Sequence, residues 1–366
     1  MKVELYQIQE GSIAAEDVFL QSQYPLLLKD TVIDENILSI LKMFMVKELE
    51  IESYLVSGEP VRSTSGASTK ENKQIRETEE SSKAADFSFS KAYEAALSEY
   101  QNLFAGWQAG ARIDISKVRQ FLIPLIDLGL ANNEDILKMH FLSNSEDYIY
   151  HHSLSVALLS SLLAKKLDYQ QGDIYQVAFG GFFADCGMAR IPSSILSKKA
   201  ALTEQEYKEV KQHPVLSYKM LKDVPALQEG AKLAALQHHE KMDGSGYPLG
   251  IKGQKLHPFS KIVALSDSFQ AMVSARSYRR KESPFKALEE ILHAEFGRYD
   301  LTAVNMLKKE LMKISTGSRV MLSDGSKAEI VFIEENLPTR PIIKLESESI
   351  IHLKDKPELY IEAILK

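Results

Sequence analysis

Two adjacent histidines followed by a glycine-rich turn restrict the fold of this chain more than any other feature. His238 and His239 end a helical pattern that begins at Ala231, and residues 240–248 have the sequence EKMDGSGYP. Side chains of neighbouring helical residues point about 100° apart, so two such imidazoles can hold two sides of one metal ion. Glycine and aspartate tolerate unusual backbone angles and leave amides accessible. The stretch predicts either a metal-binding helix end or an ordinary solvated one.

The string from His238 to Pro248 resembles the signature of the HD-GYP family, HHExxDGSGYP. Members of this family belong to the HD phosphohydrolases, bind two or three metal ions and typically hydrolyse cyclic-di-GMP in bacterial signal transduction. The resemblance implies a mainly α fold, a helical HD-superfamily bundle with small β-containing modules at the N- and C-termini.

The first long helical pattern of the main domain contains a further candidate ligand. His152 shares an apolar stripe with residues at helical spacing and therefore faces the core, where a histidine is often only a satisfied polar group. Tyr148-x-x-x-His152 resembles the first metal-ligand helix of the family, which implies that His152 is a ligand or a former ligand. His151 points to a different side, and we expect it on the surface.

The family's HD motif is altered in this chain. Residues 184–192 are ADCGMARIP, where the family pattern is His-Asp-x-Gly-Lys-x-x-Ile-Pro. Asp185 is retained, whereas Ala184 replaces the histidine and Met188 replaces the lysine. A methyl group cannot donate an electron pair to a metal, and a thioether cannot neutralise a phosphate. Cys186 is expected to be a small buried hydrophobe, with a role as a soft replacement ligand as the alternative.

The resemblance implies two metal sites that share Asp185. One ion would also take His213, His238 and His239, all of which are present. The other would take His152 and Asp267 but lacks the histidine replaced by Ala184. Imidazole and carboxylate ligands suit iron, manganese, zinc or nickel, so we expect one or two divalent transition-metal ions. A third ion is not expected, because Tyr148 stands where some members carry glutamate.

Ligand binding is assigned by the same resemblance to a turn and two arginines. Gly246, Tyr247 and Pro248 can offer backbone amides, a ring and a hydroxyl. Arg276 and Arg279 can pair with phosphate as bidentate donors or form a solvated helix end. Gln270 stands where the family often has aspartate. The implied partner is cyclic-di-GMP or a related nucleotide.

Pattern and composition divide the chain into five segments. These are a small α+β module (1–56), a flexible polar linker (57–88), a helical connector (89–133), the HD-GYP domain (134–312) and a small β-rich module (313–366). The linker has too few apolar side chains to bury a core. The apolar face of Ala92–Gln108 packs either within the chain or against a second copy in a homodimer.

Several element boundaries follow from the same patterns. Helices are expected at Ile174–Asp185 and Ala231–His239, and a capping box at Thr203-x-x-Glu206 begins another. The strands expected in the C-terminal module are Arg319–Leu322, Ala328–Ile333, Pro341–Leu345 and Ile350–Leu353.

The net charge and the cysteine content limit which binding partners and which cellular compartment the sequence predicts. The net charge of −6 gives no electrostatic reason to expect a nucleic-acid or membrane partner. The single cysteine excludes an intrachain disulfide and fits a reducing cytoplasm. The N-terminal residues lack the apolar core of a signal peptide, so a cytoplasmic location is expected.

Three functions remain open from the sequence. The first is a cyclic-di-GMP phosphodiesterase that hydrolyses its substrate weakly because of Ala184 and Met188. The second is a non-catalytic receptor or scaffold that binds the dinucleotide or a protein and retains a structural metal. The third is a phosphohydrolase for another nucleotide.

Overall fold

The structure is a computed structural model in which two units are distinct. It describes residues 73–142, 147–198, 200–274, 281–293, 297–313, 315–334 and 337–365, and within the N-terminal segment residues 2–5, 8–9, 11–16, 18–19, 25–27, 29–34, 37–38, 41 and 48–56. The chain separates into residues 1–79 and 80–366.

The N-terminal unit contains short strands around a small apolar core. The strands are β1 (Lys2–Glu4), β2 (Ser12–Ile13), β3 (Val18–Phe19), β4 (Pro25–Leu27), β5 (Val32–Ile33) and β6 (Glu48–Glu50). They pair antiparallel as β1 with β6, β2 with β5 and β3 with β4. Ile33, Leu41 and Ile51 are fully buried among them. The apolar residues of Ile37–Met45 have helical spacing and predict a short helix, but most of this range lies outside the described residues.

Helices dominate the second unit, and the first of them begins seven residues before the boundary at residue 80. They are α1 (Lys73–Gln108), α2 (Ile115–Ala131), α3 (Asn133–Lys138), α4 (Tyr148–Lys166), α5 (Gln171–Phe182), α6 (Ser193–Leu196), α7 (Glu204–Val210), α8 (His213–Leu221), α9 (Glu229–Gln237), α10 (Pro258–Val273), α11 (Pro284–His293) and α12 (Leu301–Leu311). Helix α4 is buried on nearly all sides and packs against α5 and α10. None of the described helices is both long and apolar enough to span a membrane.

Helix α1 begins inside the segment for which the sequence predicts a linker. It starts at Lys73, because lysine, glutamate and alanine in the second half of 57–88 favour helix. Residues 57–72 lie outside the described chain. The apolar face of α1, with Tyr93, Tyr100 and Trp107 at most 1% exposed, belongs to the same core as α4 and α5. That face is therefore occupied within the chain and not available to a second copy.

The observed helix ends differ slightly from the predicted ones. Helix α5 ends at Phe182 and α9 at Gln237, which leaves Asp185, His238 and His239 in the turns that follow. The capping box that begins α7 is confirmed: Glu206 N donates to Thr203 Oγ1 at 3.3 Å, and Thr203 N donates to Glu206 Oε2 at 2.7 Å.

A five-stranded antiparallel sheet ends the chain. Its strands are β7 (Arg319–Leu322), β8 (Lys327–Phe332), β9 (Ile342–Leu345), β10 (Ile350–His352) and β11 (Ile361–Leu365), in the order β10-β9-β8-β7-β11. The four strands expected from the sequence are present, whereas β11 was not predicted. Val320, Ile330 and Ile361 are fully buried on one face, with Phe285 of α11 packed against them.

A buried arginine joins the sheet to α11. Arg340 Nε and Nη2 donate to Glu289 Oε1 at 2.9 and 2.7 Å, and Nη1 donates to the Leu359 carbonyl at 2.6 Å. The side chains of Arg340 and Glu289 are 7% and 16% exposed. Such a pair costs most when one partner is removed, because the other charge stays buried without compensation.

Replacement of Arg340 by methionine should therefore destabilise the second unit. We expect the free energy of unfolding in urea to fall by about 3 kcal/mol, since Glu289 loses its partner. The exposed pair Lys344–Glu348 offers a matched control, and Lys344→Met should change stability little. Equal unfolding midpoints for Arg340→Met and the wild type would contradict this account.

Candidate metal centre

Two overlapping sets of metal-ligating side chains meet at one carboxylate. The ligand atoms lie within 4.8 Å of one another in each set. The four-residue set is Asp185, His213, His238 and His239; the three-residue set is His152, Asp185 and Asp267. The structure thus brings together all six residues that the sequence proposes as ligands, with Asp185 common to both sets.

The three-residue set depends on two long helices. His152 lies on α4 and Asp267 on α10, and the packing of these helices brings Nε2 of His152 to 2.8 Å from Oδ1 of Asp267. Asp185 Oδ2 lies 3.7 Å from the same nitrogen. Both helix-borne side chains are at most 5% exposed. Residues far apart in sequence therefore form a buried His–Asp pair.

A tight turn after α5 places Asp185. Ser217 Oγ donates to the Ala184 carbonyl at 2.7 Å and accepts from Gly187 N at 2.8 Å, which fixes the turn against α8. A Cβ on Gly187 would lie 2.2 Å from the carbonyl oxygen of His213, so only glycine permits this approach. The approach brings Asp185 Oδ1 to 3.1 Å from His213 Nε2.

A hydrogen bond to a backbone carbonyl orients the rings of His213 and His238. Nδ1 of His213 lies 2.7 Å from the Val210 carbonyl, and Nδ1 of His238 lies 2.9 Å from the Ala235 carbonyl. Carbonyls near a helix end have no partner within the helix and can only accept, so both Nδ1 atoms carry the hydrogen. The Nε2 atom of each neutral ring therefore presents a lone pair.

These two lone pairs face each other. Nε2 of His213 lies 3.1 Å from Nε2 of His238, and the ionised Asp185 carboxylate lies beside both. Three electron-pair donors this close repel one another unless a cation lies between them. Imidazoles whose second nitrogen binds a carbonyl are also typical metal ligands. The donor set therefore fits a divalent metal ion.

The pKa values of the charged groups agree with this arrangement. Burial alone would raise the pKa of Asp185, but the surrounding imidazoles, His213 first, hold it well below its usual range. Burial lowers the pKa of His238 and lowers that of His239 further, so both rings are neutral. For His213 the bond to Asp185 outweighs burial and raises the pKa. A proton on His213 is thus the alternative to a metal ion.

The three-residue set has no substitute for the missing histidine among the described residues. Ala184 is 3% exposed and offers only a methyl group. Cys186 is fully buried, burial raises the pKa of its thiol to about 12, and it belongs to neither set. Nδ1 of His152 is buried without a hydrogen-bond partner in the described part of the chain.

The expectation for His151 was wrong. The ring is 3% exposed, and Nδ1 lies 3.2 Å from the Tyr93 hydroxyl of α1. Helix α1 covers this side of α4, which the pattern of α4 alone could not indicate. The Tyr100 hydroxyl also contacts Ser153 Oγ at 3.1 Å, so α1 is bonded to α4 on both sides of His152.

A buried glutamate that the sequence analysis assigned no role organises the glycine-rich turn. Glu240 is 1% exposed and accepts hydrogen bonds from the amides of Leu249, Gly250 and Ile251 at 2.6, 3.1 and 3.2 Å. A Cβ on Gly246 would lie 2.4 Å from Glu240 Cα. The sequence feature that could have indicated this role is a single carboxylate placed directly before a turn rich in free backbone amides.

The remaining ligand-binding candidates divide into two groups. The turn folded on Glu240 brings the Tyr247 ring to 4.7 Å from the His239 ring, next to the centre, and Pro248 follows it. Arg276 and Arg279 lie outside the described residues. Gln270 is 2% exposed, and its amide oxygen has no partner among the described residues.

Comparison with known proteins gives the family. A family model described as "HD domain" matches residues 134–303. A cyclic di-GMP phosphodiesterase of Thermotoga maritima is 34% identical over 182 residues, 48% of this chain and 49% of that protein. The response regulator RpfG of Xanthomonas campestris, also named a cyclic di-GMP phosphodiesterase, is 36% identical over 152 residues, 41% and 40% of the two chains.

The family match covers the stretch that contains the ligand sets. Residues 134–303 form an HD domain of the HD-GYP type. It spans less than half the length of either curated relative. Among solved structures, Bd1817, a HDG"Y"P protein from Bdellovibrio bacteriovorus, aligns with a TM-score of 0.52 over 85% of this chain and 99% of that one, at 13% identity, which shows the fold alone.

Metal binding to this HD-GYP protein should release a proton and weaken as the pH falls. His213 has a raised pKa in the metal-free centre, so acidification through that pKa lets protons compete with the ion. Calorimetric titration with Mn²⁺ in buffers of different ionisation enthalpy should reveal release of about one proton per chain.

A histidine outside both sets provides the control for this titration. His257→Ala should leave the proton release unchanged, because that ring accepts a hydrogen bond from the amide of Phe259 and belongs to neither ligand set. A heat of binding that does not depend on the buffer would contradict the assignment of the proton to His213.

Proposed function

We propose that this protein is a metal-dependent phosphodiesterase of cyclic-di-GMP signalling whose activity is reduced by its altered HD motif. One observation carries the proposal: seven ligand positions, filled by six residues, form two sets that share Asp185. A lone structural metal would need only the four-residue set. Retention of His152 and Asp267 at 2.8 Å favours a second metal position as well.

The curated relatives support the choice of substrate. The Thermotoga and Xanthomonas proteins are named as cyclic di-GMP phosphodiesterases. A relative from Vibrio cholerae, 32% identical over 149 residues, is named as specific for 3'3'-cGAMP. The shared chemistry is hydrolysis of a cyclic dinucleotide, and cyclic-di-GMP is the first candidate.

Each residue of the centre has a role in this proposal. Asp185, His213, His238 and His239 would hold one ion, and His152, Asp185 and Asp267 would hold the other. A pair of divalent ions supplies an ionised water near neutral pH and positive charge for the phosphate. Asp185 remains ionised because its pKa is lowered, and the carbonyl-bound histidines present fixed lone pairs. Water would add across one P–O bond to give the linear dinucleotide.

The altered motif accounts for the reduced rate. Ala184 removes one protein ligand from the second position, and loss even of a group that only orients a ligand commonly costs about 10- to 100-fold in affinity or activity. Met188 removes a positive charge that the family places near the phosphate. We therefore propose tight binding at the four-residue set and weak binding at the three-residue set.

A receptor that binds without turnover is the second candidate. Two observations together favour it. The four-residue set is intact, whereas Ala184 and Met188 replace the histidine and the lysine of the family's HD motif. In that case one structural metal would hold the centre together while the terminal modules transmit the signal.

Turnover decides between the two candidates. Protein purified without oxygen and loaded with Mn²⁺ or Fe²⁺ should convert cyclic-di-GMP to the linear dinucleotide or GMP, as followed by chromatography. Asp185→Ala should abolish conversion, because both metal sets lose a ligand. If the wild type leaves cyclic-di-GMP intact but binds it in calorimetry, the protein is instead a receptor. Conversion of 3'3'-cGAMP alone would redirect the substrate assignment.

Restoration of the motif gives a gain-of-function prediction. Ala184→His together with Met188→Lys should raise the rate by at least about 10- to 100-fold, because a ligand and a cation return to the centre. Metal content should rise in parallel. The single change Met188→Lys serves as the matched variant, and it should leave metal content unchanged. An unaltered rate in the double variant would mean that other features of the centre prevent catalysis.

A further inference from the structure

A half-buried lysine lies between two tyrosine rings at the edge of the metal centre. Lys211, in the turn after α7, places Nζ 4.6 Å from the ring centre of Tyr247 and 5.2 Å from that of Tyr207. Tyr247 in turn contacts the ring of His239 at 4.7 Å. A continuous line of contacts thus runs from a metal ligand through Tyr247 and Lys211 to Tyr207.

The outer end of this line is its most exposed part. The His239 side chain is 23% exposed, Tyr247 and Lys211 are half-buried, and Tyr207 is 52% exposed. The turn organised by Glu240 fixes the inner end, since Tyr247 N donates to the His239 carbonyl at 3.2 Å. The four residues therefore form one wall that leads from solvent to the centre, which we term the Lys211 wall.

Lys211 differs in its charge partners from the other lysines around α7. Lys208 pairs with Glu204, and Lys198 pairs with Glu206. Within the described chain, no carboxylate lies within ion-pair distance of Lys211 Nζ, whose neighbours are aromatic faces. An ammonium held against two rings is stabilised by cation–π attraction but retains its capacity to bind an anion. It is therefore a cation available to a ligand.

The chemistry of the wall matches a nucleotide rather than a simple phosphate ester. A nucleobase stacks on an exposed aromatic ring, and a lysine ammonium binds phosphate as a point charge. Tyr207 and Lys211 present these two groups side by side, with the metal ligands at the inner end. The loss of the lysine at position 188 leaves the centre short of positive charge, and Lys211 is two residues from the metal ligand His213.

We propose that Lys211 binds a phosphate of the cyclic dinucleotide and that Tyr207 stacks on one of its bases. The wall would thereby hold a nucleotide ligand and supply part of the charge that Met188 does not provide. This inference rests on the proposed function, because it assigns a recognition surface for the same ligand. It holds for a hydrolase and for a receptor alike, since both must bind the dinucleotide.

Calorimetry on the full-length, Mn²⁺-loaded protein with cyclic-di-GMP tests the inference. Lys211→Gln should weaken binding about tenfold to a hundredfold, which is the usual effect of losing a bond to a charged group. It should also reduce the dependence of Kd on salt. Lys211→Arg should restore most of the affinity. Lys208→Gln, in the preceding turn of α7 and paired with Glu204, should match the wild type.

The stacking role has its own pair of variants. Tyr207→Leu should weaken binding about fivefold or more, whereas Tyr207→Phe, which keeps the ring, should not. Metal content and melting temperature should be unchanged in all of these variants, because none of the substituted side chains ligates the ion.

The outcomes separate this inference from the proposed function. A wild-type protein that binds no cyclic dinucleotide would remove both. If the wild type binds cyclic-di-GMP and the Kd of Lys211→Gln is within twofold of the wild-type Kd, only the role of Lys211 is overturned. If both Lys211→Gln and Lys211→Arg lower the metal content or the melting temperature, the lysine supports the fold of the turn. That result would contradict its role in ligand recognition.

Discussion

The repulsion between lone pairs on His213 and His238 is the constraint on which the centre depends. Their Nε2 atoms lie 3.1 Å apart beside an ionised Asp185, and carbonyls at two helix ends hold the rings in this orientation. Only a cation makes such an arrangement favourable. The close turn at Gly187 and the packing of the surrounding helices maintain a geometry that requires a positive charge, either a metal ion or a proton on His213.

The helical core explains how such a polar cluster can exist in an apolar interior. Helix α4 is buried on nearly all sides, and the Tyr93 and Tyr100 hydroxyls of α1 bond to residues adjacent to His152. Helix α1 begins at Lys73, on the side of the chain that leads to the N-terminal unit. The position of His152 therefore depends on a helix that the sequence separates from the HD domain as a connector.

In the proposed function, the altered HD motif and the Lys211 wall both affect the positive charge available to the phosphate of the ligand. Ala184 and Met188 remove a metal ligand and an ammonium, whereas Lys211 lies at the edge of the centre without a carboxylate partner in the described chain. Under the proposed role of Lys211, binding of the dinucleotide does not depend on a lysine at position 188 and can persist where catalysis is reduced. That separation is what a protein intermediate between enzyme and receptor would require.

The sequence by itself determined the helical class and the HD-GYP resemblance, because motifs and local spacing are sequence properties. That resemblance in turn implied the six residues that the structure groups into two possible ligand sets. It also located the capping box at Thr203 and four of the five C-terminal strands. Only the tertiary structure decided that His151 is buried, that Glu240 anchors the turn and that Lys211 borders the centre. Each of these facts depends on contacts between segments distant in sequence or on a backbone path through a turn, and neither follows from periodicity within one helix.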